Sequence, residues 1–507
     1  MKLKNYILIV FLFTVSTSFA QNGTRPADYN ARTLGRGGTA IGFFDSPELM
    51  MTNPAGLSFI TKPVIDINAI MMLPAPSFTN YKKDAFGNTT TNLLNDKNGE
   101  KTFYMLPSLA YVHDFKESKF TLGIGGFTTG GMGADFILNH DLFKDALGSY
   151  VPMTYHSRYG IFQGGLSLAY AITPQISVGA TAHVLYSTLE FTNPFSLVPS
   201  ILGGVIAPGK TFGDYFRDTL GYSEVTSSAN MKGLNAVSFN GKIGIAYKPN
   251  EKFSAGMTYS TPVSLGYKNG TSTLDMTAQF KDAFTRAVGY YMLKRGFTQA
   301  QSLAYVSGMF SALGIDQSKG FIAQYDITND FKIPQSVGFG FMFSPTTGLR
   351  IGVDMEWINW SNAAKKMSLV LKNGANDNIN RLLAAGGVGQ SDFNVDFQLQ
   401  WKDSYLFKIG GEYDFCKCIT ARIGYIFGSN PIPETTITPI IPAVLEHHIT
   451  AGASFNLTPN FTINTALELG INNKVYGDNP HLLASEFNNS ITQLTNYLAH
   501  LSFTYNF

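Results

Sequence analysis

Residues 337–357 read VGFGFMFSPTTGLRIGVDMEW, and this stretch decides the fold. Val337, Phe339, Phe341 and Phe343 recur at every second position, the period of a pleated strand whose two faces meet different surroundings. Ser344-Pro345-Thr346-Thr347-Gly348 makes a turn. Leu349, Ile351, Val353, Met355 and Trp357 then resume the alternation, with Arg350, Asp354 and Glu356 on the opposite face. The unit is an antiparallel hairpin. The same grammar joins Leu166, Leu168, Tyr170 and Ile172 to Ile176, Val178, Val184 and Tyr186 across Pro174-Gln175. It also joins Val237, Phe239, Ile243, Ile245 and Tyr247 to Phe253, Ala255, Met257 and Tyr259.

A soluble sandwich would bury the apolar faces of such hairpins between two sheets and cover the outside with charge. Charge is scarce here: 14% of the 507 residues are Lys, Arg, Asp or Glu, where soluble domains carry about 25%. A transmembrane barrel instead turns its apolar face to lipid, its polar face to the lumen and its aromatics to the two interfaces. Aromatics at 13% and 50 glycines suit strands better than helices. The expected fold is therefore all-β, a transmembrane antiparallel β-barrel.

Segments near 64–73, 103–113, 119–130, 158–172, 176–190, 235–247, 252–267, 334–344, 348–360, 395–413, 419–428, 446–457, 461–472 and 496–507 read as strands, fourteen in all. Connections after the even strands are brief. Those after the odd strands are long, the longest near 191–234 and 268–333, as short periplasmic turns and long extracellular loops require. Lys2 and Lys4 precede the apolar run from Tyr6 to Val15 and then Ser18-Phe19-Ala20, so residues 1–20 read as a secretory signal peptide cut before Gln21. This predicts the outer membrane of a Gram-negative-type cell, with outer-membrane lipid as one partner. The last strand presents Leu501, Phe503, Tyr505 and Phe507 on one face. It resembles the terminal signal read by the barrel-assembly machinery, a second expected partner.

A formal net charge of +2 without a Lys/Arg cluster argues against nucleic acid. Cys416 and Cys418 are too few for a disulfide scaffold or a Cys-built zinc site, and their spacing reads as a turn. His447 and His448 point to opposite faces of a strand and cannot chelate together. No spacing nominates a Ser/His/acid triad, so no enzyme, metal or cofactor is expected. Gly35-Arg36-Gly37-Gly38-Thr39-Ala40 satisfies a loose dinucleotide pattern, but no strand precedes it.

Residues 21–62 are too irregular for wall and would fit inside the lumen, with the barrel proper over 63–507. Ala31-Arg32-Thr33-Leu34-Gly35-Arg36-Gly37-Gly38 and Asn53-Pro54-Ala55-Gly56-Leu57 resemble the N-terminal hatch of the long-chain fatty-acid transporter (FadL-type) family. The resemblance continues at Ile333-Pro334-Gln335-Ser336, at Trp360-Ser361, at Arg422-Ile423-Gly424-Tyr425 and at Asn430-Pro431-Ile432-Pro433. It implies a 14-stranded barrel plugged by a hatch, usually monomeric, that takes up a hydrophobic small molecule passively. Long-chain fatty acid leads as substrate, with aromatic hydrocarbon or haem uptake behind it. A hydrophilic porin-like channel or a surface-exposed structural barrel is the alternative from another class.

The resemblance also implies where to look. Arg32, Gly35, Arg36, Asn53, Pro54 and Ala55 belong to the hatch, with Arg32 and Arg36 as carboxylate candidates or as structural donors to the wall. Gly123, Gly125, Gly126, Gly130 and Gly131 follow strand 3, where the family opens sideways, and glycine permits kinks and bulges. Phe195, Leu197, Ile201 and Leu202 in the first long loop, and Phe280, Phe284, Phe310 and Leu313 in the second, form apolar stripes. These suggest either a helical hairpin packed on itself or an entry site for a greasy ligand. Arg350, Asp354, Glu356, Glu412 and Arg422 are lumenal charges expected to pair across the interior.

Overall fold

The computed structural model describes residues 25–83, 89–115, 118–144, 148–383, 391–479 and 487–507. The signal-peptide segment lies outside the described residues. Fourteen wall strands close into one antiparallel barrel. Five are continuous at the start or middle of the chain: β1 (Val64–Lys83), β3 (Phe120–Leu138), β4 (Met153–Ala171), β5 (Ile176–Leu197) and β6 (Val225–Asn250). Strand β2 runs in two segments, Thr89–Asn98 and Tyr104–Asp114. So do β7 (Phe253–Ser260, Val263–Asp275), β8 (Ile322–Ile333, Ser336–Thr346), β9 (Leu349–Ile358, Lys366–Lys372) and β10 (Phe393–Gln398, Ser404–Cys416). The last four are β11 (Ile419–Gly428), β12 (His447–Asn456), β13 (Phe461–Gly477) and β14 (Ser490–Asn506). A ladder from Val64↔Asn506 to Thr79↔Ile491 joins β14 to β1 and removes both sheet edges.

Alternation along each strand fixes which surroundings each residue meets. Phe339, Phe341 and Phe343 face outward and are exposed, while Gly338, Gly340 and Asp354 face the lumen. Phe239, Ile423 and Leu467 are exposed to 72%, 66% and 65%. Apolar side chains repeated this way around the wall form the lipid-facing band of an outer-membrane barrel. No described helix is long and apolar enough to cross a membrane, and the strands do the crossing.

The wall is longer than the alternation predicts. Strands β5 and β6 continue to Leu197 and back from Val225, so the long loop is 198–224 rather than 191–234, and Phe195 and Leu197 are wall. Likewise the second loop is 276–321 rather than 268–333, built as α1 (Thr277–Arg295) and α2 (Gln299–Ala312). Above the bilayer the outward face no longer needs to be apolar, so the period-two signal fades while the pairing persists. Breaks in β7 to β10 fall in one row, because Ser260 pairs with Ser336, Ser336 with Ile358 and Ile358 with Ser404. Pro262 and Pro334 contribute by removing backbone donors there. Cys416 and Cys418 are bonded to each other in the β10–β11 turn.

Candidate functional site

The N-terminal segment lies inside the wall, seated on glycines. An added Cβ at Gly410 or Gly424 would overlap the backbone of Arg36 and Gly37, at Gly179 that of Pro54 and Ala55, and at Gly256 that of Ile41. Gly35 itself approaches Gly452, with an added Cβ 3.1 Å from the Gly452 Cα. Locally, Asn30 caps the short helix Ala31–Gly35 by accepting the Arg32 N–H at 2.6 Å. Gly37 and Gly38 then turn the chain with φ of 72° and 67°, where a side chain would be strained.

Asn53 explains the Asn-Pro-Ala motif. Its Oδ1 accepts the Ala55 N–H at 3.2 Å, and its Nδ2 donates to the Ile41 carbonyl within the hatch (3.0 Å) and the Ile245 carbonyl of β6 (3.1 Å). Pro54 opens the 3-10 turn Pro54–Phe59, a position where no donor is needed. One amide thus ties the hatch to itself and to the wall.

Ionic bonds complete the latch. Arg36 is fully buried; its guanidinium donates to Asp45 (3.0 and 2.8 Å), to Glu412 of β10 (3.2 Å) and to the Thr39 carbonyl (3.0 Å), and lies 3.9 Å above the Phe43 ring. Glu412 also accepts from Arg422 at 2.7 Å and pairs with Arg350. Burial works against the Arg36 charge, but the Asp45 and Glu412 carboxylates outweigh it and raise its pKa above the ordinary arginine value. Burial likewise opposes the Asp45 charge, yet Arg36, Arg350 and Arg32 hold its carboxyl well below the usual range. Arg32 donates to the Asp45 carbonyl at 2.6 Å. Both hatch arginines are therefore committed to holding the hatch. Asp354 accepts the Ala40 and Ile41 N–H groups at 2.7 and 2.9 Å, and Lys408 donates to the Ala27 carbonyl at 2.6 Å.

Glu48 is different. Its Oε2 accepts from Asn30 (2.8 Å) and Ser46 (2.6 Å), but it has no ion-pair partner among the described residues, and burial, reinforced by the Asp66 carboxylate of β1, pushes its pKa well above the ordinary value.

Above the hatch sits an apolar cavity of about 90 Å³. Tyr159, Phe191, Phe331, Phe397, Trp401, Met132 and Met367 supply much of its apolar wall, and Ser157, Asn193, Gln398, Thr436, Thr438 and Asn479 its polar points. No Lys, Arg, His, Asp or Glu lines it. Directly below, as successive inward positions pass from Tyr159 to Ile161 and Gln163 on β4 and from Phe331 to Ile333 on β8, lies a polar chamber of about 60 Å³. Arg25, Gln163, His183, Asn240 and Lys242 line it. Arg25 is paired with Glu356 at 2.9 Å. Lys242 is 92% buried, since 8% of its surface remains open, and makes no hydrogen bond or ion pair among the described residues; neither ring nitrogen of His183 has a hydrogen-bond partner.

Strand β3 changes character beside this cavity. Its ladder with β2 ends at Ser108↔Phe127, and a bulge separates Thr128 from Gly130 against β4. Eight consecutive residues, Phe127 to Ala134, are buried, so the strand has left the wall surface and turned inward. The five glycines divide. Gly123 and Gly125 face the hatch side chains Leu57 and Met50, Gly126 lies under Phe162, and Gly130 and Gly131 fall in the stretch without β2 partners. Met132 carries that stretch to the cavity.

The loop residues also divide. Phe280, Phe284 and Phe310 border an outer cleft of about 1140 Å³ between α1 and the segment around Leu142. Phe195, Leu197, Ile201, Leu202 and Leu313 are not part of it; Phe195 and Leu202 are buried in the packed interior of the extracellular cap. Phe212 packs on Phe310 at 5.6 Å and Phe216 on Phe280 at 5.7 Å, so the apolar stripes serve largely to hold the cap together. The sequence reading did not single out Lys242, His183 or the ring of cavity aromatics. Their signal was present as inward positions of alternating strands, but spacing does not say which lumenal level lies beside the hatch.

The family model described as outer membrane protein transport protein (OMPP1/FadL/TodX) matches residues 12–507. No curated protein sequence matches. Among solved structures, the Pseudomonas putida toluene transporter TodX is similar at 16% identity and a TM-score of 0.65, covering 96% of this chain and 100% of that one. A Pseudomonas aeruginosa FadL homologue gives 16% and 0.66, covering 96% and 100%. The Ralstonia pickettii toluene transporter TbuX gives 16% and 0.63, covering 95% and 99%.

Proposed function

The chain belongs to the OMPP1/FadL/TodX family of outer-membrane transporters of hydrophobic compounds, and from that premise we propose that it carries long-chain fatty acids passively out of the external medium. The observation that carries this reading is the stacking of two unlike chambers. An apolar cavity free of charge receives part of an acyl chain at about 0.8 kcal/mol per buried methylene, and the chamber beneath it offers the Lys242 ammonium, which makes no hydrogen bond among the described residues, to a carboxylate. The route begins in the outer cleft at Phe280, Phe284 and Phe310. It continues through the cavity, involves a shift of the hatch around Asn53-Pro54-Ala55, and ends sideways past the stretch of β3 at Gly130 and Gly131 that has no β2 partners. No step along it needs an energy source.

A second reading is favoured by the cavity taken alone: its aromatic, uncharged walls suit a neutral aromatic hydrocarbon, the cargo named for the toluene transporters TodX and TbuX. Lys242→Met separates the two. Uptake of labelled oleate and of labelled toluene is measured in cells lacking the native protein and supplied with either form. A tenfold fall for oleate with toluene unchanged supports the carboxylate role. Equal uptake of oleate by both forms refutes it and leaves the neutral cargo.

A further inference from the structure

The cavity has a second weak wall, on the side of β8 to β10. The β8–β9 ladder stops at Asp330↔Ser368 from above and at Ser336↔Ile358 from below, so residues 331–335 and 359–367 face each other with no ladder pair. One backbone bond, from the Asn359 N–H to the Gln335 carbonyl at 3.1 Å, crosses the lower edge of this seam. The strap over it, which contains the short helix Trp360–Ala363, is tied instead to β10. The Leu399 and Gln400 N–H groups donate to the Lys365 carbonyl, and the Trp401 N–H donates to that of Ala364. It is hinged on one side.

Residues on both sides of the seam line the cavity: Phe331 from β8, Met367 from β9, and Leu399 and Trp401 from the break in β10. The seam is filled by Trp360, which is fully buried and edge-on to Trp401 at 4.8 Å; the Trp360 indole N–H has no hydrogen-bond partner among the described residues. A buried donor left without an acceptor raises the free energy of the closed arrangement. Just below the seam, the outward rings of Trp357, Tyr259 and Tyr405 mark the upper aromatic girdle, with polar atoms bonded to Asp403 and Gln335 for the first two. Ser361, Asn362, Lys365 and Lys366 are exposed above it. The seam therefore sits where the acyl region meets the headgroups, the depth at which apolar solutes and aromatic rings gather.

We infer that the β8–β9 seam is a second lateral portal, gated by Trp360, through which hydrophobic solutes dissolved in the outer leaflet exchange with the cavity. This rests on the reading of that cavity as the ligand site. It adds a membrane-side entrance on the far side of the barrel from β3, independent of whether the ligand carries a charge.

Continuing the ladder from Asp330↔Ser368 sets Lys332 opposite Lys366, and both side chains are exposed. Lys332→Cys with Lys366→Cys, joined by a short cleavable bis-thiol reagent, staples the seam. The native cysteines are bonded to each other and do not take the reagent. 4-Bromotoluene is loaded into the outer leaflet of liposomes holding the full-length protein with Trp357→Phe, and its arrival in the cavity is followed as the time course of quenching of Trp401, which lines it. The expected result is at least a fivefold slowing by the staple, reversed on cleavage, with the reduced unstapled protein as control. An unchanged rate in the stapled protein overturns the portal while leaving the transport reading in place.

Binding is read separately, because all three tryptophans of the chain, Trp357, Trp360 and Trp401, surround the seam. In a Trp357→Phe, Trp401→Phe protein, phospholipids brominated high on the acyl chain should quench Trp360 at least twofold more strongly when toluene is added. Quenching unaffected by toluene counts against a gate at Trp360, even if no transport is seen.

Discussion

Removing the charge of Arg36 tests the hatch most directly. Arg36→Met keeps an apolar stem over Phe43 but deletes the bonds to Asp45, Glu412 and the Thr39 carbonyl. Deleting one partner of a buried ion pair costs about 3–5 kcal/mol when the other is left unpaired. Here neither acid is stranded, because Asp45 keeps Arg350 at 3.5 Å and Glu412 keeps Arg422 at 2.7 Å. The lower end of that range, about 3 kcal/mol, therefore applies, and at about 1.4 kcal/mol per decade the ratio of released to seated hatch rises roughly a hundredfold. Single-channel recording in planar bilayers reads this as conducting time, which should be scarce in the wild type and about a hundred times commoner in the variant, with Arg36→Lys between them because it cannot form the forked contact. A variant as silent as the wild type, with its hatch equally protected from protease, would refute the assignment of Arg36 as the latch. A large steady conductance in the intact protein would count against a plugged barrel altogether.

Two further outcomes follow from the same hatch. Gly424→Val puts a side chain into the backbone of Gly37 and should unseat the hatch while the wall still migrates as a folded barrel on unheated gels, whereas Gly164→Ala, whose added Cβ meets nothing nearer than 4.0 Å, should leave conductance unchanged. Glu48 carries a raised pKa in the folded protein, so its contribution to hatch stability is present below the ordinary value of 4.5 and fades as the pH rises toward the raised one. Protection factors of the hatch amides, corrected for the intrinsic rise of exchange with pH, should therefore fall as the pH rises above 4.5 in the wild type, and that fall should weaken in Glu48→Gln; an unchanged fall in the variant would place the titrating group elsewhere.

How much was legible depended on whether a residue's surroundings repeat. The lipid belt repeats around the whole wall, so Phe339-Gly340-Phe341 or Leu501 to Phe507 announce their faces, and the fourteen strands can be counted. The upper wall does not repeat in that way: Gln324, Asp326, Thr328 and Asp330 face water outside while Ala323, Tyr325 and Ile327 face the packed cap, and the segment reads as loop. The N-terminal Asn-Pro-Ala block stood out as a motif, but the bonds it makes did not, since Asn53 bonds to Ile245, a residue 192 positions away. Lys242 and His183 look like any lumenal polar residues until the hatch shows which chamber they close. Likewise Trp360-Ser361 stood out as a family block without any hint that Trp360 fills a gap between strands.

The ionic layer beneath the cavity also bears on the direction of travel. An apolar solute in the cavity has left water already, and the bilayer core is about as apolar as Phe331, Phe397 and Trp401, so moving sideways into lipid costs little. Moving down means entering a layer where Arg36, Arg350 and Arg422 are matched against Asp45 and Glu412, and prising apart buried charges costs several kcal/mol. In the proposed route the hatch would thus repel an apolar cargo even where it leaves space for it. A carboxylate at Lys242 would stop in the chamber that Lys242 shares with Arg25 and His183, with its tail still in the cavity above, which orients the chain for withdrawal through the wall rather than through the plug. In the proposed route the seated N-terminal segment and the interrupted ladders are two halves of one device: the first would make the axial path costly, and the second would supply lateral paths whose cost is only that of parting strands whose ladder pairs are already missing.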